Sequence, residues 1–322
     1  KIMFLKSSAF LEEHPEYNEQ TIYSWKLLPF GGSCMMLGEE EDIADDSSFS
    51  RKSVYARMAI IFAGPFFNFI LAFIFSVILT AVMGYQSPQI TVVADNTPAQ
   101  KSGLQVGDVV KEINGKTMTI DGDISLYTAY YGFPKGEDVT MVVERDGQEK
   151  TIVMKPELMK DASGNENYRI GINHGKWEKV GILGNLKYST YEMKYWIETV
   201  VKSLQGLVTK RFKASDVSGP VGIVSTMGKN IEASGDKDNG GGPGMMVMSM
   251  IYWCIMLSAN LGVMNLLPIP ALDGGRLLFL IIEWIRRKPM NPKYEGYVNM
   301  AGFMLLMLLM VVILGHDIIN LF

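Results

Sequence analysis

Three long stretches of this chain carry no charged residue, and they constrain the fold more than any other feature. No Asp, Glu, Lys or Arg occurs over residues 58–94, 239–272 or 296–315. The first is almost wholly apolar across residues 58–83, and the apolar part of the second begins near Met245. An α-helix needs about 20 apolar residues to cross a hydrocarbon core about 30 Å thick, and each stretch reaches that length. The expected fold class is a multi-pass α-helical membrane protein with spans at residues 58–84, 245–285 and 296–316.

The flanking cations orient these spans. Arg51, Lys52 and Arg57 precede the first, and Arg286, Arg287, Lys288 and Lys293 lie between the second and third. Basic residues beside a span mark its cytosolic end, so both groups belong in the cytosol. Residues 1–57 are then a cytosolic segment, and the long stretch between the first two spans lies outside. A net charge of −4 with no large basic patch gives little support to nucleic-acid binding. Cys34 and Cys254 imply no disulfide framework, the second lying within an apolar stretch.

The outer segment opens with a β-rich region, residues 89–156. Residues 90–93, 109–113, 139–143 and 151–154 read as strands, and the Asp146-Gly147 pair between the last two is a strong hairpin signal. Thr97 is placed to cap a short helix from Pro98, with Gly103 at its stop. Residues 157–244 continue outside. There Leu186, Met193, Ile197, Val200, Leu204 and Leu207 recur at helical spacing, which predicts an amphipathic helix that packs on the domain or lies at the membrane surface. The Gly-rich residues 234–244 read as a linker.

The stretch that carries chemistry runs Asn265-Leu-Leu-Pro268-Ile-Pro270-Ala-Leu-Asp273-Gly-Gly-Arg276. It follows an apolar span and precedes another apolar run, so Asp273 is expected at membrane depth. A carboxylate there costs about 3 kcal/mol unless it has partners. Pro268, Pro270, Gly274 and Gly275 break a regular helix, and broken backbone in a membrane is tolerated only inside protein or beside a cavity. From the residues alone two roles stay open for Asp273: a member of an enclosed polar site, or a cap on the helix that follows it.

This stretch resembles the second active-site motif of the site-2 protease family, Asn-x-x-Pro-x-Pro-x-Leu-Asp-Gly, at every motif position. The resemblance implies that Asp273 is a Zn2+ ligand and that Asn265, Pro268 and Pro270 lie by the substrate path. Residues 28–36, with Gly31 and Gly32, resemble the family's membrane-dipping β-hairpin loop beside the active site. Ser33, Cys34 and Met35 depart from its usual Tyr, Val and Lys. An apolar edge strand there could hold an extended substrate by strand addition. Ala63-Gly64-Pro65-Phe-Phe-Asn68-Phe69 resembles the family's Ala-Gly-Pro-x-x-Asn-Phe signature, in which Gly64, Pro65 and Asn68 read as packing near the site. Residues 97–115 resemble a PDZ domain of the bacterial protease type, and residues 218–222 match the family's Gly-Pro segment more weakly.

One family element is missing. None of His14, His174 and His316 begins a His-Glu-x-x-His motif, which would supply two zinc ligands and a general base from one helix face. The expectation is that this helix lies upstream of Lys1 and that residues 1–322 alone are inactive. The resemblance then implies an intramembrane zinc metalloendopeptidase of the bacterial inner or plasma membrane, bearing its PDZ-like domain outside. Its partners would be the lipid bilayer and membrane-spanning substrates of the anti-sigma-factor or signal-peptide-remnant kind, with C-terminal peptides as candidates for the PDZ-like domain. The alternative is a non-catalytic scaffold or pseudoprotease that binds peptides through that domain.

Overall fold

The computed structural model describes residues 2–4, 23–25, 36, 48–160, 166–212, 219–236, 240–290 and 292–321. The loop around Gly31 and Gly32, together with His14, lies outside the described residues. The chain divides into two compact units, Lys1–Ser53 and Val54–Phe322. In the first, strands β1 (Ile2–Phe4) and β2 (Tyr23–Trp25) pair in parallel, and Phe49–Arg51 forms a single 3-10 turn.

The second unit is a membrane helical protein with a β domain inserted after its first helix. Helix α1 (Val54–Met83) is long and apolar enough to cross a membrane. Phe62, Phe66, Phe67, Leu71, Ile74 and Ile78 are exposed along it. A helix that is apolar on every side belongs in lipid or in a large core. Its small buried residues, Ala72 and Ser76, let other helices approach closely.

The chain then enters an antiparallel sheet of strands β3 (Tyr85–Val93), β4 (Val109–Ile113), β5 (Lys116–Thr117), β6 (Val139–Arg145), β7 (Gln148–Met154) and β10 (Ile172–Glu178), with helices α2 (Pro98–Lys101) and α3 (Asp121–Tyr130). The spatial order is β10-β3-β4-β6-β7, and β5 pairs with β4. Strands β8 (Glu157–Lys160) and β9 (Glu166–Arg169) form a separate hairpin. Alternation places Val139, Met141 and Val143 on one face of β6, buried with Ile90, Val110, Ile113, Ile124 and Ile152. Asp146 and Gly147 both have positive φ, 54° and 75°, the signature of a type I′ hairpin turn. Thr97 stands at the N-cap of α2, but its hydroxyl donates back to the Ala94 carbonyl instead of accepting from the helix.

Helix α4 (Ile182–Val208) is the amphipathic helix that the spacing predicts. It returns from the sheet to the helices, burying Trp196 against Ala72, Leu79, Ile255 and Ala259. Helix α5 (Pro220–Ser234) precedes α6 (Pro243–Leu266), α7 (Asp273–Arg286) and α8 (Pro292–Leu321). Residues Pro243–Leu266 and Tyr294–Gly315 are the other two candidate spans. At 14 residues, α7 is about 21 Å long and reaches only part of the way across.

Candidate active site

The break between α6 and α7 follows from its prolines. Pro268 offers no N–H and pushes the residue before it out of helical conformation; Leu267 is accordingly extended, at φ −62° and ψ 139°. The chain doubles back on itself, with the Ile269 N–H donating to the Leu267 carbonyl at 2.7 Å and Ala271 at φ +74°. Gly274 and Gly275 make this possible. A Cβ on Gly274 would stand 2.2 Å from the Leu267 oxygen, and one on Gly275 2.4 Å from the Ile269 oxygen. Helix α8 packs on the loop. Its Asn299 side chain accepts from the Ala271 N–H at 3.3 Å, and Gly302 is bare where it meets Pro270.

Asp273 is the first residue of α7, and Leu272 holds the N-cap position. The carboxylate thus sits at the positive end of a helix dipole. It faces the segment of α1 that the sequence singled out: a Cβ on Gly64 would lie 3.2 Å from Asp273 Oδ2. Asp273 is half-buried and Gly64 is exposed. Pro65 is buried and Asn68 half-buried one turn along α1, where Phe69 covers Gly262 of α6. Asn265 and Pro270 are half-buried at the two ends of the loop, and Pro268 is exposed.

A second tie between α1 and α7 was not read from the sequence. Arg57 grips Glu283 with both terminal guanidinium nitrogens, at 2.5 and 3.3 Å, and both side chains are largely buried. Beside them the Trp284 indole donates to the Tyr55 hydroxyl at 2.8 Å. The available signal was Glu283 itself, the only acid between Asp273 and Glu295. At the far end of α8, buried Asp317 accepts from the backbone N–H groups of Gly219 and Gly222 at 3.0 and 2.9 Å, capping α5.

A tetrahedral zinc centre needs three or four donors. Asp273 fits as one: a hard oxygen donor, half-buried, at the start of a helix. Among the described residues no group of three His, Cys, Asp or Glu side chains converges, so the remaining donors would come from beyond those described. His174 lies in the β domain, bonded to Asp121, and takes no part here.

A family model for peptidase family M50 matches residues 13–309 of the chain. The chain is 36% identical over 301 residues to a protein of Clostridium acetobutylicum classed by name with the zinc metalloproteases, covering 94% of this chain and 84% of that one. It is 38% identical over 288 residues to the regulator of sigma-W protease RasP of Bacillus subtilis, covering 88% and 64%. It is 37% identical over 273 residues to the zinc metalloprotease RasP of Geobacillus kaustophilus, covering 84% and 60%. The chain therefore spans most of the first relative and somewhat under two thirds of the two RasP proteins.

Proposed function

The chain belongs to peptidase family M50, and from that premise we propose that it forms the greater part of an intramembrane zinc endopeptidase that cleaves membrane-spanning substrates. The observation that carries this reading is the meeting of two separate motifs. The Gly-Pro-x-x-Asn segment of α1 bears directly on the Asp273 carboxylate, and the Leu-Asp-Gly-Gly turn is folded so tightly that only glycine fits after the aspartate.

In this reading Asp273 is one zinc ligand, and the other donors come from outside the described residues. Zinc, when bound, polarises the scissile carbonyl and lowers the pKa of a water. The chain's own residues do the rest. The Arg57–Glu283 pair holds α7 against α1 so that the carboxylate does not drift. Bare Gly64 leaves the approach open. Asn265, Pro268 and Pro270 border the path of an unwound substrate segment.

The β domain is read as PDZ-like and as lying outside the cytosol, where it meets peptides. Anti-sigma factors trimmed outside the membrane suit such a site, in keeping with the name of the Bacillus subtilis relative. The localisation that follows is the bacterial plasma or inner membrane. A peptide-binding scaffold without catalysis is disfavoured by the family and by a carboxylate placed at a span break.

The test is zinc content and cleavage in the longest natural form of the protein. Asp273→Ala should lower bound zinc and abolish cleavage of a model transmembrane substrate in proteoliposomes, while hydrogen exchange in β6 and β7 stays as in the parent. Unchanged zinc and cleavage would overturn the assignment of Asp273.

A further inference from the structure

Strand β5 and helices α3 and α4 border a groove of about 430 Å3 that shares no residue with the Asp273 site. Lys116, Tyr131, Lys194, Glu198, Val201 and Lys202 are among its walls. Two like charges converge there. The Lys116 Nζ stands 4.5 Å from the centre of the Tyr131 ring, and the Lys202 Nζ 5.0 Å. Lys202 also donates to the Tyr131 hydroxyl at 3.0 Å, which leaves the hydroxyl its own hydrogen to donate. The bond from Lys202, with Lys116 beside it, holds the Tyr131 phenol below its usual range.

The acids of the groove are already engaged. Asp123 accepts from the Thr119 and Ile120 N–H groups at 2.7 and 3.1 Å, and Glu198 pairs with Lys194 at 3.5 Å. Among the described residues no carboxylate pairs with Lys116 or Lys202. A cleft with unmatched charge of one sign concentrates the opposite ion.

Position says which anion. A single residue, Gly84, separates α1 from β3, so the sheet stands where that span ends. Helix α4 seats Trp196 in one cluster with Ala72 of α1 and Ile255 of α6. Lys202 follows six positions later (202 − 196), about 9 Å along the helix. Leu186, Val201 and Val208 are exposed on one face of α4, and Val201 is a wall of the groove. Cations beside an exposed apolar stripe suit a helix at a lipid–water interface, and tyrosines are enriched in that zone. A free anion or an acidic peptide would call for the lysines but not for the stripe.

We propose that this groove binds the phosphodiester headgroup of an anionic phospholipid, held by Lys116, Lys202 and the Tyr131 hydroxyl, with an acyl chain lying along Val201. The headgroup then ties the β domain to α4, the helix seated on the spans.

Native mass spectrometry of the full chain, released from nanodiscs of equal phosphatidylglycerol and phosphatidylcholine, counts the lipid retained. The parent should keep phosphatidylglycerol in preference to phosphatidylcholine. Lys116→Gln and Lys202→Gln should each lower that preference about fivefold, and Lys202→Arg should preserve it. Lys150→Gln, an equal loss of charge on β7, should leave it unchanged. Hydrogen exchange is the second readout. Phosphatidylglycerol should slow the amides of residues 116–118 and 198–205 in the parent but not in the variant that combines Lys116→Gln with Lys202→Gln, while β6 and β7 exchange alike in both. Equal retention of the two lipids by the parent overturns the proposal, as does a combined variant that retains phosphatidylglycerol like the parent. Slowing of the same amides in detergent by inorganic phosphate or hexaglutamate, with none from phosphatidylglycerol, assigns the groove to a free anion or an acidic peptide and overturns the lipid.

Discussion

Gly64 and Asp273, on helices 209 positions apart in sequence (273 − 64), meet so closely that one added methyl would come within 3.2 Å of the carboxylate Oδ2. At that distance the neighbour must yield by a few tenths of an ångström. Alanine is the better helix former by about 0.5–1 kcal/mol, so Gly64→Ala is expected to leave thermal stability unchanged or slightly raised. Zinc affinity and cleavage should fall, because ligand position is set to within a few tenths of an ångström. Gly64→Leu should abolish both. Zinc titration beside a melting curve separates the two effects; a Gly64→Leu protein with full zinc affinity would contradict the placement.

Arg57 and Glu283 predict a different signature. Breaking a buried pair by removing one partner costs about 3–5 kcal/mol, since the other charge stays behind. Arg57→Ala and Glu283→Ala should each lower the denaturation midpoint in detergent. The double change Arg57→Met with Glu283→Leu should recover most of the loss, because neither charge is then stranded. Equal damage from the single and double changes would mean that packing, and not charge, holds α7 to α1.

Much of this was legible in the sequence, for identifiable reasons. Charge-free runs announce spans wherever they occur, so α1 and α8 cover the expected stretches, while the second, expected over residues 245–285, is broken into α6 and the short α7. Period-two alternation and Asp146-Gly147 mark β6 and β7, because turn chemistry is local. The motif around Asp273 was readable because prolines and glycines act on their own neighbours. What was not legible is long-range. The resemblance puts Gly64 in packing near the site, but nothing in the residues around it says that it faces Asp273 itself. The Arg57–Glu283, Asp317–Gly219 and His174–Asp121 pairs each join residues more than 50 positions apart. Their sequence trace is a lone polar residue in an apolar or edge setting, which does not name its partner.

Two carboxyl groups in and beside the β domain give opposite responses to pH. Burial would raise the Asp108 carboxyl, but bonds from Arg145, at 2.6 and 2.7 Å, and from the Gln105 N–H outweigh it and hold it below the usual carboxylate range. Its stabilisation is therefore present above the unfolded value near 4 and is lost as pH falls through the folded value. Burial beside Trp196 pushes Glu192 up to about 7, with Asp123 and Asp121 adding to the shift. Stability from that group is full below its unfolded value and declines as pH rises to about 7. Hydrogen exchange as a function of pH checks both. Asp108→Asn should remove the acid-side loss, and Glu192→Gln should flatten the decline between about pH 4.5 and 7.

Asp317 carries the last prediction. Helix α5 begins at Pro220, and its first free N–H groups have no partner within the helix. Asp317 reaches from α8 to accept two of them, from Gly219 and Gly222. Carboxylate and helix dipole favour each other here. The glycine is required: a Cβ on Gly219 would stand 2.6 Å from Asp317 Oδ2 and 2.5 Å from Ile313. Asp317→Ala should cost about 1–2 kcal/mol, the scale of a lost cap. The loss should appear first as faster exchange of the amides at residues 219–223, with α6 unaffected. Asp317→Asn keeps one acceptor oxygen and should lie between. Gly219→Ala should mimic Asp317→Ala by pushing the same carboxylate away, although it leaves the acid in place. Agreement between those two variants, one on each helix, is what distinguishes a cap from a general loosening of α8.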